Sequence, residues 1–288
     1  MQAWPALAAA RAHDAATRVP FAVALEDSMV DAGSVARPHT RVLRRWPHWV
    51  QVTDERVALV APAAARADAL AEMNHALRAE GLIVAWRDEP FPLFDVNGRV
   101  LGVSMERAAT RFWGTLTLGA HCNGYVADAH DHPTQIWIAR RAATKATDPN
   151  RLDNLIGGGV PADQSPLDTV IREGWEEAGL LPEQMRDLQR GRVLRLLRDI
   201  PEGLQREWIH VYDLALPAGV TPCNQDGEVA ELTLHDVAAA LALAASGEMT
   251  VDAGLVTLDF ALRHRLFGAP DHAALSAAAA GLLAGRAA

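Results

Sequence analysis

The amino-acid sequence predicts an α+β protein in two parts, a smaller α/β domain over residues 1–112 and a larger domain over residues 113–288. Two observations carry this. Short apolar runs of strand length alternate along the chain with longer segments of helical period, which argues for mixed layers rather than a bundle. The texture also changes after Trp113-Gly114, where three strand-like runs follow one another before a run of glycines. A length of 288 residues fits one large or two ordinary domains, at about 100–200 residues each.

Element by element, residues 1–16 read as a helix with Ala, Leu and Trp on one side. Residues 21–25 read as a strand, and 40–45 as a helical stretch stopped by Pro47. Two apolar runs, 50–52 and 57–60, are split by Thr53-Asp54-Glu55-Arg56, which predicts a hairpin. Residues 62–79 form a helix that Gly81 ends. Residues 82–86 read as a strand. Asn97-Gly98, between 93–95 and 100–102, is a type I′ hairpin signal. A short helix over 104–112 precedes the boundary. Beyond it, strands are expected at 115–121, 124–127 and 135–140, then a polar loop over 143–154. Helices are expected at 166–178, 235–245, 252–267 and 273–287. The strands among them lie at 192–197, 208–214 and 229–234.

Composition removes several functional classes. Half of the residues are hydrophobic and 22% are charged, enough apolar surface for a core. The net charge of −9 disfavours a binder of nucleic-acid backbone, which needs a basic footprint. Cys122 and Cys223 are too few for a disulfide framework or a four-cysteine metal site. No apolar run approaches the ~20 residues that span a bilayer, and residues 1–16 lack the pattern of a signal peptide. A cytoplasmic protein is expected.

Chemistry concentrates between Gly157 and Leu180. Ser165 suits an N-cap, Pro166 the first helical position, Asp168 the acid of a capping box and Gly179 the residue after the last turn. On this helix Leu167, Ile171, Gly174 and Ala178 share one face with Val170 beside them, and Gly174 allows close approach to a sheet. Glu173, Glu176 and Glu177 fall on another arc of about 100°. Three such carboxylates repel one another, with only Arg172 adjacent. A hard divalent cation such as Mg²⁺ or Mn²⁺ relieves that repulsion; a solvated acidic face is the alternative. The preceding Gly157-Gly158-Gly159 favours the cation, because such a turn brings backbone close to metal or phosphate.

This segment resembles the Nudix box, G-x5-E-x7-R-E-U-x-E-E-x-G-U with U apolar. Gly158 matches its first glycine, and Arg172-Glu173, Glu176-Glu177, Gly179 and Leu180 match its second half in register. Gln164 stands where the pattern has its first Glu, and Gly174 where an apolar residue is usual. Further stretches, at 119–125, 137–141, 152–154 and 224–229, resemble the Nudix part of thiamine pyrophosphokinase-like proteins with an N-terminal domain of their own. That resemblance spans about residues 100–270.

The resemblance implies a Nudix α/β/α sandwich and a Mg²⁺-dependent hydrolase that cleaves the diphosphate of a small organic molecule. Thiamine diphosphate or a damaged analogue is the favoured substrate, cut to the monophosphate. It implies metal ligation by Glu173, Glu176, Glu177 and the Gly158 carbonyl, with Arg172 orienting the glutamates and one carboxylate serving as base. Glu228 is the expected late-loop ligand, with Asp226 and Glu231 as alternatives. His121, Asn123, Arg141 and Lys145 are the candidate substrate contacts, with Arg140 beside them; Trp137, Trp175 and Trp208 offer ring faces that serve equally as core. Two rival readings remain open, a hydrolase of nucleoside diphosphates linked to a sugar or other group, and a non-catalytic ligand-binding module. The expected partner is a small organic diphosphate, not nucleic acid or membrane, and a homodimer stays open. The smaller domain is placed to cover the mouth of the site.

Overall fold

The computed structural model describes residues 4–284. After a short helix α1 (Pro5–Ala9), the first unit contains β1 (Arg18–Ala24), β2 (Met29–Ala36), α2 (Thr40–Leu43), β3 (Val50–Val52), β4 (Val57–Leu59) and α3 (Arg66–Ala79). Its sheet has the order β2-β1-β4-β3, with β1 and β4 parallel. Phe21, Leu59, Leu70, Met73 and Leu77 bury a common core with Trp113. A hairpin of β5 (Pro90–Phe94) and β6 (Val100–Glu106) follows, then α4 (Arg107–Trp113).

Several expectations change here. The helix expected over 1–16 is confined to Pro5–Ala9, with residues 1–3 outside the described part. It packs on the second unit, where Ala6 and Ala10 join that unit's core. Residues 82–86 form no strand; they are a turn that follows α3. The unexpected β2 pairs with β1 through a bulge between Phe21 and Ala22, an irregularity that blurs alternation. At the 94–100 hairpin, Gly98 has φ 90° but Asn97 has no positive φ, so the turn is not type I′. The Asp95 carboxylate shapes it, accepting the N–H of Asn97 (2.9 Å) and of Arg99 (2.8 Å).

The second unit comprises β7 (Leu116–Ala127), β8 (Pro133–Arg141), β9 (Leu152–Asp153), β10 (Ile156–Gly159), α5 (Pro166–Ala178), β11 (Gln189–Ile200), β12 (Gly203–Ala215), β13 (Val229–Asp236), α6 (Val237–Ser246), α7 (Val251–Arg263), α8 (Ala269–Ala279) and β14 (Leu283–Ala284). The main sheet runs β13-β8-β7-β12-β11-β14, with β7 and β12 parallel and the other neighbours antiparallel. The two runs expected at 115–127 are one long strand. Its edge is shared: β8 pairs with Tyr125–Ala127, and β10 takes over from Cys122 to Gly119. The last helix starts at Ala269 rather than 273 and ends at Ala279, and residues 285–288 lie outside the described part.

Alternation along β7 sorts its side chains to two faces. Ala120 and Cys122 meet Val170 of α5, while Ile209 and Val211 of β12 meet Leu255 and Val256 of α7. The result is an α/β/α sandwich, as expected. Helix α5 has the expected bounds and the expected ends. Ser165 and Asp168 form a capping box, and Gly179 closes the helix at φ 64°. Its inward face is narrower than read: Val170, Gly174 and Ala178 are buried, whereas Leu167 is 46% exposed. Gly174 makes room for Met185, whose sulfur lies 2.5 Å from where a Cβ would stand, and for Ile156. Among the described residues no helix is long and apolar enough to cross a membrane. Ser165→Ala, which removes the cap of α5, should cost about 1 kcal/mol, read as a lower urea midpoint at unchanged slope.

Candidate active site

The site is built where α5 faces β10. Glu173, Glu176 and Glu177 occupy the last two turns of α5, and the glycines of β10 give them space. An added Cβ would lie 2.1 Å from Glu173 Oε1 at Gly158, 2.8 Å from the His121 ring at Gly157, and 2.7 Å from the Phe91 ring at Gly159. None of these three glycines has a positive φ, so bulk and not backbone conformation demands them. The first unit thus reaches the same strand through Phe91 and Arg107.

The carboxylates are held in distinct ways. Arg172 donates to Glu173 Oε1 (2.8 Å), to Glu176 Oε2 (2.5 Å) and to Gln164 Oε1 (3.1 Å). Glu177 is 5% exposed, and its Oε2 accepts the Gly157 N–H at 2.7 Å. Burial pushes the Glu177 carboxyl well above the usual carboxylate range, and the charge of Glu173 adds to this. Burial raises Glu173 as well, with Arg172 opposing. Both groups therefore favour a positive partner. Among the described residues no three acidic, histidine or cysteine side chains converge as a ready cation cage. The donor set nevertheless suits Mg²⁺ or Mn²⁺: hard oxygens only, in a cleft where Gly158 lets a carboxylate lie against backbone.

The cleft beside these glutamates has a volume of about 540 Å³ and is walled by both units. Arg87 and Arg107 come from the first unit, Lys145 and Arg141 from the loop side of β8, and Asp226 and Glu228 from the loop before β13. Lys145 donates to Glu228. Burial, followed by the charge of Arg141, lowers the Lys145 ammonium, and burial, followed by Arg107, lowers Arg87. Cations crowded in this way gain from an anion between them.

Of the residues singled out by sequence, Arg172, Glu173, Glu176, Gly158 and Glu228 are brought to this cleft, together with Lys145 and Arg141, whereas Glu177 is buried on the Gly157 N–H and does not line it. Arg141 is fixed by Asp153 (2.9 Å) and by two loop carbonyls. Asn123 is not at the cleft. It is 1% exposed, its amide donates to Asp213 and its oxygen accepts from Asn154, so it is structural. His121 borders an adjoining chamber rather than the glutamates. Glu231 and Arg140 pair with each other at 3.7 Å, outside the cleft. Asp226 lines the cleft while capping its turn through the Glu228 N–H. The three tryptophans contribute no ring to it: Trp137 is buried core, Trp175 is exposed, and Trp208 packs between Gly98 and Arg195. Arg87 and Arg107 were not singled out. They lie in charged runs of the first unit, and only the docking of that unit reveals their direction.

Comparison with known proteins agrees with this geometry. Residues 123–252 match the model of the NUDIX domain. The chain carries a NUDIX domain. Residues 5–117 match a domain of unknown function, DUF4743. The chain is similar to Nudix hydrolase 20, chloroplastic, of Arabidopsis thaliana, with 34% identity over 69% of this chain and 53% of the relative. It is also similar to Nudix hydrolase 24, chloroplastic, of the same plant, with 32% identity over 70% and 55%. An uncharacterized protein of Saccharomyces cerevisiae shows 33% identity over 63% and 56%. The chain thus spans about half the length of the curated relatives it matches. Among solved structures, that of DR0079 from Deinococcus radiodurans aligns with a TM-score of 0.47 and 22% identity, covering 60% of this chain and 99% of that one. A thiamine pyrophosphokinase-like subfamily finds no support in these matches.

Within the NUDIX domain, the departure at Gln164 has a plain structural role. Its carbonyl accepts from Arg172 and from the Thr169 hydroxyl (3.1 Å), which a carboxylate does equally well. Gln164→Glu should therefore be tolerated, with diphosphate hydrolysis within about tenfold of the parent, or ~1.4 kcal/mol in barrier. A second prediction follows from Glu177. Its proton affinity in the folded state exceeds the ordinary glutamate value of 4.5, so the folded chain binds more protons than the unfolded one. Metal-free stability should then fall as pH rises above about 4.5. A divalent cation bound there would take the place of that proton, so stabilisation by added Mg²⁺ should grow with pH. Thermal melts from pH 5 to 8 with and without Mg²⁺ check this, and Glu177→Gln should flatten both trends.

Proposed function

We propose that this chain is a divalent-metal-dependent hydrolase of small organic diphosphates, with Mg²⁺ as the working ion and Mn²⁺ able to replace it. The observation that carries the reading is the meeting, in one cleft, of Glu173 and Glu176, with Glu177 buried beside them on the same helix, and of basic side chains from both units. An acidic set alone would suit a cation, and a basic set alone an anion. Together they suit an anion that arrives with a divalent cation, as a diphosphate does.

The cation, when bound, neutralises the diphosphate and lowers the pKa of the attacking water. Glu173, Glu176 and Glu177 would hold it, with the Gly158 carbonyl and Glu228 completing the oxygen set. Arg172 positions Glu173 and Glu176 by donating to both. Lys145, Arg87 and Arg107 orient the phosphate oxygens and stabilise charge as it shifts towards the leaving group. A carboxylate of α5 takes the proton of the water, and Glu173, whose proton affinity burial raises, is the best placed. Gln164 is the one feature that favours a ligand sensor in the sequence. Since its carbonyl only anchors Arg172 and Thr169, that support is lost.

Within this class we favour thiamine diphosphate or its damaged analogues, cut to the monophosphate and inorganic phosphate by attack at the terminal phosphorus. The support is the sequence resemblance at residues 119–125 and 224–229. A phosphate-release screen with Mg²⁺ over thiamine diphosphate, its oxidised analogues, ADP-ribose and nucleotide sugars tests the reading. Release from the thiamine compounds is expected, and Glu173→Gln should cut kcat by at least a hundredfold while moving KM less. No release from any organic diphosphate would contradict it.

A further inference from the structure

The first unit lines the cleft with one loop, residues 87–89, and with Arg107 at the start of α4. The chain around that loop is strained. Ala85 (φ 60°) and Asp88 (φ 59°), on either side of Trp86-Arg87, hold a left-handed conformation without being glycine. Such a conformation persists only where the surroundings impose it.

One carboxylate imposes it here. Glu106, the last residue of β6, does not line the cleft. Its Oε1 accepts the N–H of Arg87 (2.9 Å) and that of Ala108 (3.2 Å), and its Oε2 accepts the N–H of Glu89 (3.0 Å). All three bonds go to main chain and none to a guanidinium. Glu106 is thus both the cap of α4 and the clasp of the loop. Further contacts close around it. Asp88 accepts Trp86 Nε1 at 2.7 Å, and the Trp86 ring packs against His75 (4.8 Å) and Arg78 (4.7 Å) of α3. The Glu89 carboxylate accepts from the Arg107 guanidinium (2.9 Å), and its carbonyl accepts the Arg107 N–H (2.8 Å). The Pro90 carbonyl accepts the N–H of Ala162, in the second unit, at 2.9 Å.

The outcome is a pair of guanidinium groups set in one wall. Arg107 lies over the Phe91 ring (5.3 Å), with its guanidinium carbon 3.2 Å from where a Cβ of Gly159 would stand. Arg87 reaches the same cleft and makes a long contact, 4.0 Å, to Glu228. Burial, followed by the charge of Arg107, lowers the proton affinity of Arg87. The two cations therefore sense each other, and free side chains of this length would splay apart. A guanidinium fork matches two phosphate oxygens at once, so a pair fixed side by side suits a diphosphate.

We propose that Glu106 is a positioning residue of the diphosphate site: by clasping the main chain at Arg87, Glu89 and Ala108, it sets Arg87 and Arg107 as one clamp on the phosphate oxygens. The first unit, which matches a domain of unknown function, then serves as the phosphate-gripping half of the active site, while α5 serves the cation. The inference rests on the diphosphatase reading for the identity of the ligand. Setting the pair beforehand reduces the conformational freedom lost on binding.

The test uses the full chain and two probes, inorganic diphosphate with Mg²⁺, followed by calorimetry, and Mn²⁺ alone, followed by electron paramagnetic resonance. Glu106→Gln keeps the size of the side chain but turns one acceptor oxygen into an NH₂ that faces a main-chain N–H. Diphosphate affinity should fall at least tenfold, about 1.4 kcal/mol. Mn²⁺ affinity should stay within threefold, because the carboxylates of α5 are untouched. In an Arg87→Met background the same change should weaken diphosphate binding less than threefold, since a positioning residue acts through the group it positions. A merely structural role would weaken both ligands, or act undiminished in that background, and either result overturns the proposal. Thermal melting establishes that each variant is folded. Glu106→Asp, too short to span both ends of the clasp, carries the same expectation if the Gln variant does not fold. No diphosphate binding by the parent, or equal binding by the parent and a folded Glu106 variant, also overturns the clamp. If such equal binding accompanies hydrolysis of an organic diphosphate, the clamp falls and the hydrolase reading stands. Diphosphate binding that depends on Glu106 through Arg87, in a chain that hydrolyses no organic diphosphate, keeps the clamp and overturns the hydrolase reading instead.

Discussion

The whole site depends on three successive residues of β10, Gly157 to Gly159, having no side chains. Gly157, Gly158 and Gly159 are met by the His121 ring, the Glu173 carboxylate and the Phe91 ring respectively, each where a Cβ would clash. Successive residues of a strand face opposite sides. Gly158 therefore receives α5 from one side, while Gly157 and Gly159 receive β7 and the first unit from the other. A strand of three alanines would push all of these apart. The cleft and the adjoining chamber meet at this strand because nothing stands between them there.

Charge is arranged around that strand in layers. The carboxylates of α5 would be costly to bury unpaired. Arg172 spans two of them, and the Gly157 N–H serves the third. Across the cleft, Lys145, Arg141, Arg87 and Arg107 crowd together, Lys145 and Arg87 sharing Glu228 while Arg141 has Asp153 and Arg107 has Glu89, and burial lowers the proton affinity of Lys145 and Arg87. Each set is less comfortable alone than with a ligand of the opposite sign. Such unfavourable electrostatics are usual where binding is the purpose. The first unit is part of this design, since two of the cations and the Phe91 contact come from it.

Much of this was legible in the sequence. Ser165, Asp168 and Gly179 dictate both ends of α5 through local hydrogen bonds and a left-handed turn, so its bounds follow from sequence alone. The register of Glu173, Glu176 and Glu177 follows from helical spacing. What was not legible depends on distant packing. Asn123 looks like a strand residue near a pocket, but alternation turns it towards Asp213 and Asn154 on the α7 side. The stretch at 82–86 is apolar enough for a strand and has no partner strand. Residues 5–9 sit at the chain start and pack on the second unit, which no local signal announces. Arg87 and Arg107 become site residues only through docking of the first unit.

The most direct test of the central constraint compares Mn²⁺ binding by Gly158→Ala and Gly159→Ala, followed by electron paramagnetic resonance of the free ion. In Gly158→Ala the new methyl displaces Glu173, and Mn²⁺ affinity should fall at least tenfold, about 1.4 kcal/mol. In Gly159→Ala the methyl presses on Phe91 and Arg107 instead, so Mn²⁺ affinity should stay within threefold while turnover of organic diphosphates falls. Equal Mn²⁺ affinity in the parent and in Gly158→Ala would contradict the role assigned to the glycine strand.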